Sequence, residues 1–208
     1  VVTLWPRMLR TTLGEGSEIA LRRALPIMAV GVGGTAIASS FGLWLLAALM
    51  LAGYVFGLAL LLRPLVEVAR RRHPHGFPAW SVAAGLTWLV AGLIAWVVML
   101  ILGGDAEQIH HRFGALVPYL ATGFAAQVLI GALGHLIPMA LGGGGRAVRA
   151  ASTQIERAGA WRIVAVNLGL LVCLLPVPSA VRVTCSLVVL LALAAQLPLL
   201  ILAIKASV

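Results

Sequence analysis

The stretch of sequence that decides the fold runs from Trp80 to Leu102 and reads WSVAAGLTWLVAGLIAWVVMLIL. None of its residues is charged, and its apolar side chains do not alternate with polar ones as they do in a barrel strand. Because an α-helix rises about 1.5 Å per residue, a helix of this length crosses a hydrocarbon layer about 30 Å thick. The stretch therefore predicts a transmembrane helix.

Five further stretches have the same character, so that the sequence predicts six membrane-spanning helices. The six runs are approximately 24–41, 43–62, 80–102, 115–141, 160–177 and 180–204. The charged residues within them are Arg162 and Arg182, each close to the end of its run. Lipid offers no hydrogen bonds to the backbone, so a chain that crosses it must form helices or a closed barrel. We therefore predict an all-α, polytopic transmembrane helix bundle that forms one domain over residues 1–208.

The composition excludes an ordinary soluble protein. Of the 208 residues, 62% are hydrophobic and 10% are charged, and the mean hydropathy is +1.07. A soluble domain carries roughly 25% charged residues. A formal net charge of +9 is also found in nucleic-acid-binding proteins, but here the basic residues stand in short loops between apolar runs and form no continuous basic face. The sequence predicts a lipid bilayer as the partner and no nucleic acid.

The basic residues also predict how the helices are oriented. Of the 15 arginine and lysine residues, Arg112 and Arg182 fall on one side of the predicted helices and all the others fall on the opposite side. Cytoplasmic loops carry the excess of basic residues in membrane proteins. We therefore expect a multi-pass protein of the cell membrane whose basic loops face the cytoplasm. The residues on that side are Arg7, Arg10, Arg22, Arg23, Arg63, Arg70, Arg71, Arg72, Arg146, Arg149, Arg157, Arg162 and Lys205.

The first residues, Val1–Leu9, read as the inner end of a further helix whose beginning is missing. A weak internal repeat points the same way, since Thr3–Leu9 resembles His135–Leu141 and Ala29–Gly33 resembles Ala165–Gly169. Each unit of this parallel repeat would contain a long helix, a basic loop, a short helix, a tight outer turn and another long helix. The sequence therefore predicts a truncated N-terminal span and a three-helix repeat.

The first candidate metal site is His135, the titratable side chain that lies within a predicted span. Met139 follows one helical turn later on the same face. An imidazole and a thioether suit haem iron or Cu(I). The alternative is a histidine that packs helices together by hydrogen-bonding to a neighbour such as Gln127 or Asn167. The polar residues Gln127, Asn167 and Gln196 themselves indicate helix–helix packing rather than a substrate path.

The second candidate metal site is the outer loop, where His110 and His111 follow Asp105 and Glu107. The alternative is that these histidines are solvated. A helix would separate His111 from His135 by about 36 Å, so that the two candidate sites cannot share one metal ion.

Two cysteines, Cys173 and Cys185, flank the predicted outer turn at Pro176–Ser179. They would lie at similar depth on antiparallel helices, where an oxidising outer face permits a disulfide. The alternative is a pair of free cysteines that behave as small hydrophobic residues.

Three segments resemble the multi-pass membrane portion of actinobacterial copper oxidases. They are Thr3–Thr11, Phe124–Pro138 and Pro176–Val183, and the resemblance extends over essentially all 208 residues. In that family the membrane portion precedes cupredoxin domains of the multicopper oxidase or copper nitrite reductase kind, whose His, Cys and Met residues bind copper. The histidine-bearing helix that ends in an apolar-Pro step is also similar, more distantly, to haem–copper oxidase membrane subunits.

The resemblance implies that the chain is a membrane module of a copper-dependent oxidoreductase. Such a module would anchor or serve an outer-face cupredoxin domain of the same parent chain and would be non-catalytic itself. The sequence contains no Walker loop, no GxSxG and no HExxH motif. Two alternatives are a haem- or copper-binding membrane redox protein that acts through His135, and a small-solute transporter, which the three-helix repeat alone supports.

Overall fold

A computed structural model describes residues 16–71, 76–140 and 144–207, and every regular element within these ranges is helical. The predicted all-α fold is therefore confirmed. The helices are α1 (Gly16–Ser40), α2 (Trp44–Arg71), α3 (Phe77–Leu102), α4 (Ala106–Tyr119), α5 (Gln127–Ala140), α6 (Gly144–Glu156), α7 (Gly159–Leu174), α8 (Ser179–Ala194) and α9 (Gln196–Ser207). A π-helical segment, Leu120–Ala126, joins α4 to α5.

Among the described residues, six helical stretches are long and apolar enough to cross a membrane, and each corresponds to one of the predicted runs. This agreement supports a multi-pass membrane protein. The stretches are Ile19–Ser40, Trp44–Arg70, Phe77–Leu102, Ala106–Ala140, Arg146–Leu174 and Ser179–Lys205. The predicted N-terminal span at Val1–Leu9, and with it the first helix of the predicted repeat, lies outside the described residues.

The predicted outer loop before Ala115 is largely helical, which corrects the start of the fourth span. Helix α4 begins at Ala106, and the side chain of Asp105 accepts a hydrogen bond from the backbone N–H of Gln108 at 2.8 Å. An N-cap of this kind satisfies a backbone donor that has no partner within the helix. The sequence analysis did not predict this helix because the segment is polar. The helix begins at an N-cap residue and not at a run of apolar residues with helical spacing.

The predicted basic loop between the fourth and fifth runs contains α6, which is a second correction. Its polar residues resemble a loop, but Ala151 and Ile155 stand four residues apart and are both fully buried.

The outer turn predicted at Pro176–Ser179 follows directly after the observed end of α7, which lies at Leu174. The helix ends there because Pro176 and Pro178 cannot supply the backbone N–H groups that would continue it.

The described helices form two compact units. The first contains residues 16–71 and 88–120, and the second contains residues 76–87, 121–140 and 144–207. In the first unit, α1 and α2 pair as a hairpin whose turn contains Gly42 with φ of +68°. The buried core of this unit consists of Ala38, Ala47, Ala48, Leu51, Leu100 and Ile109.

In the second unit, α7 and α8 form a hairpin and α6 packs against α9 and α5. The inner core of this unit brings together Phe77, Ala151, Ile155 and Ala203. Cys173 and Cys185 are not joined by a disulfide. The Sγ atom of Cys173 lies 3.8 Å from the carbonyl oxygen of Arg182 across the hairpin, so that the cysteine takes part in packing between α7 and α8.

Large apolar side chains are exposed on all six spanning stretches. In water so much exposed apolar surface would drive association, whereas lipid tails solvate it. The helices are therefore compatible with a bilayer environment. Examples, one from each stretch, are Val30, Leu45, Val98, Leu129, Leu168 and Leu190.

The closest approach of α1 to α2 provides a test of the packing in the first unit. A Cβ atom at Gly31 would lie 2.7 Å from the backbone nitrogen of Tyr54, whereas a Cβ atom at Gly33 would meet nothing within 4 Å. Gly31→Ala should therefore lower the free energy of unfolding in detergent by about 1–3 kcal/mol, and Gly33→Ala should not lower it. Equal effects of the two substitutions, measured by denaturant titration of the purified protein, would contradict this packing.

Candidate functional site

His135, the first candidate ligand, lies on α5 in the second unit. Its Nε2 atom is buried and has no hydrogen-bond partner among the described residues. The proposed partners Gln127 and Asn167 instead hydrogen-bond to each other, so the expected packing bond from Nε2 of His135 to either of them is not formed. Met139 lies one turn further along α5 and is 53% exposed. Metal binding by His135 and Met139 stays a prediction.

His110 and His111, the second candidate ligands, are exposed on α4 in the first unit. The carboxylate of Asp105 is engaged as the N-cap of this helix. Within the ranges that the structure describes, no group of three or more His, Cys, Asp or Glu residues is placed to hold a metal ion. Metal binding by His110 and His111 also stays a prediction.

The most prominent polar group in the interior of the second unit is the guanidinium of Arg162, a residue that is only 4% exposed. Arg162 donates hydrogen bonds to the side-chain oxygen of Gln196 and, at 2.5 Å, to the backbone carbonyl of Ile155. Its guanidinium carbon lies 3.9 Å from the centre of the Phe77 ring. Arg162 thereby connects α7 to α3, α9 and the last turn of α6.

The charge of Arg162 is held without a carboxylate among the described residues, since the ion pair found there joins Arg63 to Glu67. The Nε atom of Arg162 and the Nε2 atom of Gln196 are buried donors without a described partner. Aromatic faces attract a guanidinium, and this attraction strengthens when water is excluded. The ring of Phe77 and two neutral oxygens therefore stabilise the buried cation.

A second polar group in the same unit contains the buried residues Ser81 and Gln127 and the half-buried Asn167. The side-chain amide of Asn167 donates to Gln127 Oε1 at 3.1 Å, and Ser81 donates its hydroxyl proton to the backbone carbonyl of Gln127 at 2.8 Å. Gln127 in turn donates to the carbonyl of Gly123 at 2.8 Å. Gly123 belongs to the π-helical segment, whose wider turn leaves backbone groups in need of other partners. These bonds link α3, α5 and α7.

A small cavity of about 10 Å³ lies between these two polar groups. A volume of this size is at the lower limit for one water molecule. Apolar side chains make up most of the wall, which Phe77, Ser81, Gln127, Ile130, Arg162, Ile163, Val166, Ala192 and Leu193 form. The cavity is therefore a packing gap rather than a substrate pocket.

The chemistry that this cluster can perform follows from its side chains. Amides and a hydroxyl donate and accept hydrogen bonds without gaining or losing a proton near neutral pH, and a guanidinium remains charged. The cluster is therefore suited to holding helices in register. His135 differs, because an imidazole can exchange protons and bind metals.

The sequence interpretation placed Arg162 near the end of the fifth predicted span, on the basic side, and did not predict its burial. The signal that identifies it was present, since Arg162 and Gln196 are polar residues inside otherwise apolar runs. Polar residues at such positions face protein rather than lipid. The interpretation of Gln127 and Asn167 as helix-packing residues agrees with their mutual hydrogen bond.

Comparison of the chain with protein-family models, with curated proteins and with solved structures finds no match. The functional interpretation consequently depends on the residues of this chain.

Replacing Arg162 tests the importance of the buried cluster. Arg162→Ala leaves Gln196 and the carbonyl of Ile155 without their donor and removes the cation from Phe77, so the free energy of unfolding should fall by about 2–4 kcal/mol. Arg182→Ala, which removes an exposed arginine from α8, should change it by less than about 0.5 kcal/mol. Thermal unfolding in detergent measures both effects, and a similar small change in the two variants would rule out this role of Arg162.

Proposed function

We propose that the chain is an integral membrane module of a copper-dependent oxidoreductase. The module anchors or serves a cupredoxin domain at the outer face of the membrane, and the chemistry takes place on that domain. The resemblance of Thr3–Thr11, Phe124–Pro138 and Pro176–Val183 to the membrane portion of actinobacterial copper oxidases supports the copper-dependent class.

The types of side chain in the polar cluster of the second unit support the role of a scaffold. Its members are the guanidinium of Arg162, the side-chain amides of Gln127, Asn167 and Gln196, and the hydroxyl of Ser81. These groups join α3, α5, α7 and α9 by hydrogen bonds. Such an interior supports a rigid platform for a neighbouring domain better than a pathway for protons or ions, which requires titratable groups at membrane depth.

The proposal includes an orientation in the cell membrane with the basic loops in the cytoplasm. Arg70, Arg146, Arg149 and Arg157 then lie on the inner side, and the turn between α7 and α8 lies on the outer side. An outer cupredoxin domain would be connected on that outer side. The excess of arginines on one side of the spans supports this orientation.

Cysteine labelling tests the orientation. In a background that lacks the native thiols of Cys173 and Cys185, Ser179→Cys places a thiol at the exposed start of α8 and Thr153→Cys places one on the exposed face of α6. A membrane-impermeant maleimide added to intact cells should label the first variant, and it should label the second only after lysis. The reverse result would invert the proposed orientation.

A second function is favoured by one specific observation, the buried and unpartnered Nε2 atom of His135. A neutral imidazole nitrogen without a hydrogen bond is free to bind haem iron or copper. On this alternative the chain is itself a membrane redox protein, and Met139 is the adjacent candidate ligand.

The full-length protein distinguishes the two functions. The module proposal predicts that the complete reading frame encodes a cupredoxin domain, that the purified protein binds copper, and that His135→Ala does not change its copper content. The alternative predicts a haem Soret band or bound copper that His135→Ala removes. A reading frame without a cupredoxin domain would refute the module, whereas a protein with neither a Soret band nor copper would refute the alternative.

A further inference from the structure

The exposed side of α6 carries a row of basic residues that the proposed function does not use. Arg146, Arg149, Thr153 and Arg157 follow one another at spacings of three or four residues and are all exposed. Residues at these spacings share one face of a helix, and Arg157 continues the row directly after Glu156, the last residue of α6. We name this surface, formed by those four residues, the arginine face.

The opposite side of α6 is anchored to the protein. Ala151 and Ile155 are fully buried, and they pack with Phe77 and Ala203 in the core of the second unit. Arg162 binds the carbonyl of Ile155 near the end of the helix. Helix α6 is therefore amphipathic, and the contacts of its apolar side leave the arginine face directed away from the core.

Helix α6 lies at an end of the second unit that has features typical of a membrane surface. The beginnings of α3 and α7 meet there, because a Cβ atom at Gly159 would lie 2.7 Å from Cβ of Phe77. Trp80 and Trp161, close to the starts of these two helices, are 50% and 70% exposed. Exposed tryptophans near the ends of spanning helices are typical of the headgroup level of a bilayer.

The arginine side chains are available for an external partner. Among the described residues, the guanidinium groups of Arg146, Arg149 and Arg157 make no ion pair or side-chain hydrogen bond, and the nearby carboxylate of Glu156 pairs with none of them. Ala158, which follows Arg157, has φ of +52° and interrupts the helix before α7 begins. Helix α6 is thus a separate helix and not a straight extension of α7.

We propose that the arginine face binds the phosphate groups of anionic phospholipids, such as phosphatidylglycerol, at the membrane surface. Guanidinium groups form paired hydrogen bonds to phosphate oxygens, and clusters of basic residues beside spanning helices attract anionic lipids. The interaction would hold α6 against the bilayer on one side while its apolar side holds α5 and α9.

Lipid association in reconstituted vesicles tests this proposal. The protein is placed in phosphatidylcholine vesicles, and the association of spin-labelled phosphatidylglycerol is compared with that of spin-labelled phosphatidylcholine. Wild-type protein should prefer the anionic lipid, and Arg146→Gln/Arg149→Gln should reduce this preference roughly threefold or more. Arg146→Lys/Arg149→Lys should keep at least half of it, because the charge remains.

The matched control is Arg63→Gln/Arg182→Gln, which removes the same charge from exposed positions elsewhere on the chain. It should reduce the preference by less than half as much. An equal reduction in the control would show that overall charge attracts the lipid, and an unchanged preference in Arg146→Gln/Arg149→Gln would show that α6 does not bind it. Either result would overturn the proposal. Circular dichroism of each variant establishes that the helices are intact.

Discussion

The constraint on which the rest of the structure depends is that lipid forms no hydrogen bonds with a polypeptide backbone. A chain with so few charged residues must therefore pair its peptide groups internally, and helices do so along their whole length. The same requirement governs the places where the helices are irregular. The Gln127 side chain binds the Gly123 carbonyl in the π-helical segment, and Arg162 binds the Ile155 carbonyl at the end of α6.

The buried cluster of the second unit shows how this interior accommodates a charge. A buried ion is costly unless other groups replace its hydration. Arg162 contacts the carbonyl oxygen of Ile155, which is near in sequence, and the Gln196 oxygen and the face of Phe77, which are distant in sequence. The charge is therefore tolerated only when α3, α6, α7 and α9 are all in place, which makes the cluster a condition for the packing of the unit.

The polar groups of the second unit fall into separate roles. The amides and Arg162 join helices, the arginine face of α6 is directed outward, and His135 has an unpartnered ring nitrogen. The two proposed functions assign different roles to His135, because a scaffold needs no reactive group whereas a redox protein needs a ligand. The proposed contact of α6 with anionic lipid is independent of that choice, since it depends on exposed arginines and on the apolar anchoring of α6.

The sequence by itself determined the all-α fold and six spanning stretches, because long uncharged runs such as Trp80–Leu102 have no other stable form in lipid. It also marked Gln127 and Asn167 as packing residues. The sequence did not predict helices α4 and α6, because an N-cap at Asp105 and two buried residues of α6 give only weak local signals. The tertiary structure alone decided that Arg162 is buried while Arg146, Arg149 and Arg157 are exposed. The sequence pattern assigns all four to the same basic side, and only contacts with Phe77 and Gln196, distant in the chain, separate one from the others.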